Sequence, residues 1–268
     1  MKTRGISALI GIILFAAVII SPVFVFDIAV LVITQIGLCE ILSALKINSQ
    51  KLLFAVNLLF SAIIILNTIF IKLNFAVIAY IYLIVIMILM VTKHDSNKFA
   101  AIASSYTVCI MVSVAFSFLI LTRHIENYGL LDVMLIFIGS WITDTCAYFS
   151  GVFFGRHKLC PVISPKKTIE GSVGGALGTI IVFAVYGMVV SNTAGIEVNI
   201  LHIMILGLLC GIVSQIGDLS ASVIKREHGI KDYGNIMPGH GGVLDRFDSV
   251  LFVAPVVYVY ITYCPVFA

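Results

Sequence analysis

The sequence predicts an all-α, polytopic integral membrane protein with about nine transmembrane helices. Three observations lead there. Of the 268 residues, 61% are hydrophobic and only 11% charged, whereas a water-soluble domain carries about 25% charged residues. The mean hydropathy is +1.16, too high for a globule that must cover itself with polar groups. Finally, the apolar residues fall into runs close to the roughly 20 residues a helix needs to cross the hydrocarbon core.

Read in order between polar breaks, these runs place spans at 5–24, 27–45, 52–71, 75–92, 99–121, 130–153, 172–190, 200–222 and 249–264. The first follows Met1, Lys2 and Arg4 and imitates a signal peptide. It is long, however, and no small-x-small cleavage site ends it before Pro22, so a retained helix is expected. Short breaks at Lys46–Lys51, Lys93–Lys98, Arg123–Tyr128 and Ser191–Asn199 separate later spans. Two longer loops, 154–171 and 224–248, hold most of the charge. The expected organisation is a set of N-terminal helices over 1–125 and a C-terminal region over 126–268 that carries both loops.

Alternating the nine spans puts Lys72 and Arg123 on one side and the remaining fourteen of the 16 lysines and arginines (16 less two) on the other. By the positive-inside rule the crowded side is cytoplasmic, with the N-terminus and both long loops. The net charge of +3 is too small to argue for nucleic acid. None of the six cysteines has the Cys-x-x-Cys spacing of a zinc or redox site, and four lie in apolar runs as buried thiols do.

Glu40, Asp144 and Asp218 fall within or at the ends of apolar spans. A carboxylate there is expensive and usually faces protein or a watery cavity. For Glu40, packing near a span end and a functional role are both open. Asp218 precedes a stretch from Ser222 to Asp248 that gathers Lys225, Arg226, Lys231, Asp232, His240, Asp245, Arg246 and Asp248. Pro238-Gly239 and Gly241-Gly242 suit a turn whose backbone approaches a ligand closely. Asp245 and Asp248, three apart, would share a face of a helix opening the last span. With Asp218 they form an oxygen set suited to a hard cation such as Mg²⁺, which takes one or two carboxylates plus substrate phosphates. A basic juxtamembrane loop attracting anionic lipid accounts for Lys225 and Arg226, but not for the aspartates among them.

In the other loop, Ser164, Lys166, Lys167, Thr168 and Glu170 cluster before Gly171. Paired lysines beside hydroxyls suit phosphate oxygens, and positive-inside anchoring explains the lysines equally well. Gly171 to Gly178 contains two Gly-x-x-x-Gly pairs without the lysine and hydroxyl of a nucleotide loop, so close helix packing is expected there.

The stretch Ser222–Asp248 resembles the signature of the phosphatidate cytidylyltransferases position for position: Ser-x-x-Lys225-Arg226, Lys231-Asp232, His240-Gly241-Gly242 and Asp245-Arg246-x-Asp248. Asp144-Thr-Cys-Ala-Tyr148 with Gly151, and Ser164-Pro-Lys-Lys-Thr-Ile-Glu-Gly171, also resemble that family. The agreement covers roughly the C-terminal half. The chain departs from the pattern at Cys146, where glycine is usual, at Ile169, where an aromatic residue is common, at Ala221, often glutamate, and at Met237.

The resemblance implies transfer of a cytidylyl group from CTP to phosphatidic acid, giving CDP-diacylglycerol and pyrophosphate, in phospholipid biosynthesis. It implies Mg²⁺, which Asp218 and Asp245 are expected to hold with Asp248 or Asp232 as a third carboxylate, and a second, monovalent cation is left open. Lys225 and Arg226 join Asp218 and Asp245 as expected catalytic groups. Ser164, Lys166, Lys167, Thr168, Glu170, Lys231, Asp232, His240, Gly241, Gly242, Arg246 and Asp144 are expected to bind substrate. The expected surroundings are a lipid bilayer, the bacterial inner membrane, with a homodimer left open. An ion-coupled transporter would also bury carboxylates, but has no use for so many aspartates and cations in one loop. Asp-Gly and Asp-Asp pairs, usual in other membrane phosphotransferases, do not occur.

Overall fold

The computed structural model describes residues 2–93, 98–236, 239 and 241–267, with side chains from residue 10 onward. Helices α1 to α10 run in chain order: Lys2–Ile20, Val23–Ala44, Lys51–Leu66, Phe75–Thr92, Phe99–Arg123, Gly129–Phe154, Ile169–Ala194, Ile200–Glu227, Leu244–Phe247 and Val250–Tyr263. The chain forms two compact units, one of Met1–Leu121 with Glu227–Phe247 and the other of Thr122–Arg226 with Asp248–Ala268.

The all-α membrane architecture stands. Among the described residues, seven helices, α2 to α8 with α3 continued by a π-helical turn from Asn67 to Ile71, are long and apolar enough to cross a membrane. Of the nine expected spans, the one at 249–264 falls short of that standard. Helix α10 has 14 residues, about 21 Å at 1.5 Å per residue, against a hydrocarbon core of about 30 Å. Asp248 and Pro265 bound its apolar run. Helix α1 runs 19 residues and ends before Ser21-Pro22, and the expected span at 5–24 lies partly outside the residues whose side chains are described.

In the first unit, polar side chains knit apolar helices together. Asn57 of α3 donates to the carbonyl of Leu53 at 2.7 Å, and its amide oxygen accepts from the Tyr82 hydroxyl of α4 at 2.6 Å. The Tyr82 ring stacks between Phe60 and Tyr106. Ser113 of α5 donates to Ser61 of α3 at 2.8 Å. Lipid gives helices no hydrophobic reason to associate, so such bonds, averaging about 0.6 kcal/mol each, are part of what selects partners. The other faces stay apolar and open to lipid, as at Val77, Ile81, Ile84 and Ile88 of α4.

In the second unit, α6 and α7 pack at backbone range. A Cβ at Gly175 would stand 2.9 Å from Ala147 Cβ, one at Gly178 would stand 2.5 Å from Cys146 Sγ, and one at Gly174 would collide with Ser150. The glycine pairs of the sequence are thus a helix-packing stripe. Thr143 and Thr179 share a 2.6 Å hydrogen bond across it. Helix α8 closes on α7 in the same way, where a Cβ at Gly211 would lie 2.8 Å from Ala176 Cα.

The 154–171 loop is more ordered than its sequence suggests. Strands β1 (Lys158–Cys160) and β2 (Ser164–Thr168) pair antiparallel with Lys158 opposite Thr168. The other loop is shorter than expected, because α8 continues through Lys225 and Arg226 to Glu227.

Candidate active site

In the second unit, strand β2 delivers its lysines by alternation. Lys166 is exposed, whereas Lys167 turns inward and meets Asp218 of α8 with Nζ 2.5 Å from Oδ2. Thr168 ends the strand and caps α7, its hydroxyl accepting from the Gly171 amide at 3.1 Å. Capping of this kind satisfies an orphan donor of the first helical turn. One residue into that helix, Glu170 accepts from the Arg156 amide at 3.0 Å and meets His157 Nδ1 at 2.6 Å. Both residues of the expected substrate set therefore lock the hairpin onto α7, and so fix the place of Lys167. Ser164 begins β2 and is partly buried.

Asp218 sits on α8, and two turns later Lys225 is buried on the same helix. Lys225 Nζ lies 3.8 Å from Asp248 Oδ2. Asp248 also accepts from the Ser249 amide at 2.8 Å. The Ser249 hydroxyl points to Asp144 Oδ2 of α6 at 3.4 Å. Asp144 keeps an accessible surface and feels the charges of Asp218, Asp248 and Lys167. Three aspartates and two lysines from α6, β2, α8 and the turn before α10 thus converge within one unit. Gly217 permits it: a Cβ there would stand 3.0 Å from the Asp248 carbonyl. Exposed Arg226, on the last turn of α8, reaches the Ile163 carbonyl at 3.5 Å with Nε, beside the hairpin tip.

The first unit holds the other half of the sequence signature. Asp245 Oδ2 accepts from the amides of Tyr233 at 2.7 Å and Gly242 at 3.0 Å. Glu40 of α2 is 7% exposed and accepts from the amides of Val243 at 2.9 Å and Leu244 at 2.8 Å. Lys231, Asp232 and Arg246 are exposed. Gly241 has φ +86, and a Cβ there would also meet Asp245. Helix α9 ends at Phe247, so it carries Asp245 but not Asp248, and the expected shared helical face does not form. His240, with Met237 and Pro238, lies outside the described residues.

Among the described residues, no group of three or more His, Cys, Asp and Glu side chains is arranged to hold a metal ion. Asp218 and Asp248 nonetheless offer hard oxygens, and each already faces a lysine ammonium. Mg²⁺ asks the protein for one or two carboxylates and takes its other oxygens from phosphates and water, so a metal held here would compete with those ammonium groups for the same oxygens.

The sequence matches the cytidylyltransferase family over residues 2–264. The chain belongs to that family. Its cytidylyltransferase relatives include the phosphatidate cytidylyltransferase of Bacillus subtilis, 31% identical over 96% of both chains. That of Staphylococcus epidermidis is 33% identical over 95% of this chain and 96% of its own. The Thermotoga maritima protein of the same name is 35% identical over 65% of this chain and 64% of its own. The family match takes in the first half as well, where the sequence offers only apolar helices.

Two residues that these contacts bring to the candidate site escape a reading of motifs. Ser249 follows the signature directly and looks like the first residue of a span. Glu40 stands about 200 residues from the loop it holds, and its only signal is a carboxylate in an apolar run.

Proposed function

We propose that the chain transfers a cytidylyl group from CTP to phosphatidic acid at the membrane surface, releasing pyrophosphate and leaving CDP-diacylglycerol in the leaflet. The observation that carries the assignment of residues is the gathering of Asp144, Asp218 and Asp248 with Lys167 and Lys225 at the ends of membrane-spanning helices. A phosphate oxygen of phosphatidic acid attacks the α-phosphorus of CTP. One P–O bond forms there, and the bond to the bridging oxygen of the β-phosphate breaks. The nucleophile is already anionic, so no covalent enzyme intermediate is required. The difficulty is to bring two polyanions together, and catalysis rests on positioning and charge neutralisation.

Lys167 and Lys225 neutralise phosphate charge, and the aspartates hold those ammonium groups in place. Lys166 and Arg226 extend the cationic surface. Asp218 and Asp248 would hold Mg²⁺, which when bound stabilises charge on the leaving pyrophosphate. The assignment of Lys231, Asp232, Gly241, Gly242, Asp245 and Arg246 to substrate phosphates rests on their place in the Ser222–Asp248 signature. The lysine and arginine asymmetry supports a cytoplasmic position for both loops, the side from which CTP arrives. The bacterial relatives favour the cell membrane.

The reaction is tested with purified protein in vesicles given CTP labelled at the α-phosphate. Label should enter the organic-extractable lipid only when phosphatidic acid is present. Equal incorporation with diacylglycerol, or none with either, would contradict it.

A further inference from the structure

We infer that Glu40, far from the signature in sequence, is a positioning residue for the loop that carries Asp245 and Arg246. This rests on the reading that the loop handles substrate phosphates. The geometry is a clasp made by two carboxylates on one stretch of backbone. Glu40 takes the amides of Val243 and Leu244, and Asp245 takes those of Gly242 and Tyr233. The three consecutive amides 242–244 are therefore all committed, and the turn that aims Asp245 and Arg246 is fixed on both sides. Bonds from amides to a carboxylate are roughly twice as strong as neutral ones.

The glycines around Glu40 are shaped to it. A Cβ at Gly242 would stand 2.5 Å from both carboxylate oxygens, and one at Gly234 would collide with Oε1. Two glycines of this unit's signature segment, Gly234 and Gly242, thus leave room for one side chain from α2. Gly37, one turn earlier on α2, lets Leu244 approach, with its Cδ1 3.4 Å from where a Cβ would stand. Helix α2 is buried at Phe26, Val30, Leu38, Ile41 and Leu42, so Glu40 projects from a fixed element. A helix-packing role alone would not need two committed oxygens and two glycines to receive them.

The test compares Glu40→Gln, Glu40→Ala and Gly242→Ala with the wild type in vesicles. The readouts are amide hydrogen exchange and cytidylyl transfer per folded molecule, with folded fraction from size exclusion and thermal unfolding. Glutamine keeps one acceptor oxygen and alanine none. Exchange at Val243 and Leu244 should rise in Glu40→Gln and further in Glu40→Ala. Turnover per folded molecule should fall about tenfold to a hundredfold, as displacements near 1 Å do, with glutamine retaining more than alanine. Gly242→Ala leaves Glu40 intact but crowds it, and should lower turnover similarly. Folded Glu40→Gln and Gly242→Ala proteins with wild-type turnover would overturn the inference. So would activity lost only in proportion to the unfolded fraction. A wild type without cytidylyl transfer would instead sink the functional reading, while the exchange data would still report on the clasp.

Discussion

The ammonium of Lys167 and the carboxylate of Asp218 lie 2.5 Å apart, each side chain about a quarter exposed at 25% and 26%. One comes from a short strand and the other from a membrane-spanning helix. Their meeting depends on Thr168 and Glu170, which fasten the strand to α7. The side chains are partly exposed, but the Lys167 Nζ itself is enclosed, so the pair both places a cation and compensates the Asp218 charge. Lys167→Met should therefore lower the unfolding temperature modestly while lowering kcat/KM for CTP by about a hundredfold, the scale of removing one transition-state donor. Lys167→Arg should recover part of that. Steady-state kinetics beside thermal unfolding in detergent separates the two effects.

Lys225 and Asp248 form the contrasting pair, with side chains only 10% and 12% exposed. Removing one partner of a buried pair leaves an uncompensated charge and costs about 3–5 kcal/mol. Lys225→Met should lower thermal stability as well as activity. The double variant Lys225→Met, Asp248→Asn should recover stability without recovering activity, as read by thermal unfolding and turnover.

The α6–α7 stripe gives a prediction that involves no chemistry. Gly174→Leu cannot be accommodated against Ser150 and should abolish stable insertion or lower the unfolding temperature sharply. At Gly11 a Cβ meets nothing within 4 Å, and Gly11→Ala should behave as wild type. Membrane-fraction yield and thermal unfolding distinguish them.

Much of this could be read from residues in order, and the reason differs by level. The long apolar runs report their helices because a span must satisfy every backbone group internally, and among the described residues seven of them have the length to cross. The run 249–264 looks like the others in composition, yet a flanking aspartate and Pro265 limit its helix to 14 residues. The signature residues were legible as a set, since aspartates among lysines beside glycines are hard to explain in a simple anchor. Their pairings were not. Lys167 finds Asp218 and Glu40 finds Val243 only through packing between distant segments. Asp27 and Asp132, buried near the starts of α2 and α6, have apolar neighbours that make them look like span edges. Thr168 and Glu170 read as substrate ligands, and the structure adds that their side chains close a helix end and a hairpin, which a motif does not reveal.

Sidedness can be checked directly. Val162, at the hairpin tip, is 92% exposed. In a cysteine-free background, Val162→Cys should react with a membrane-impermeant maleimide in inside-out vesicles and not in intact cells. The reverse pattern would contradict a cytoplasmic hairpin.

The most direct test of the central claim is pyrophosphate release by purified protein given CTP, phosphatidic acid and Mg²⁺, measured beside Asp218→Asn. The wild type should release pyrophosphate only with both substrates. The variant should unfold modestly below the wild-type temperature and lose at least about a hundredfold in rate. Wild-type turnover by a folded Asp218→Asn protein would contradict the assignment of the site to the cluster of Asp144, Lys167, Asp218, Lys225 and Asp248.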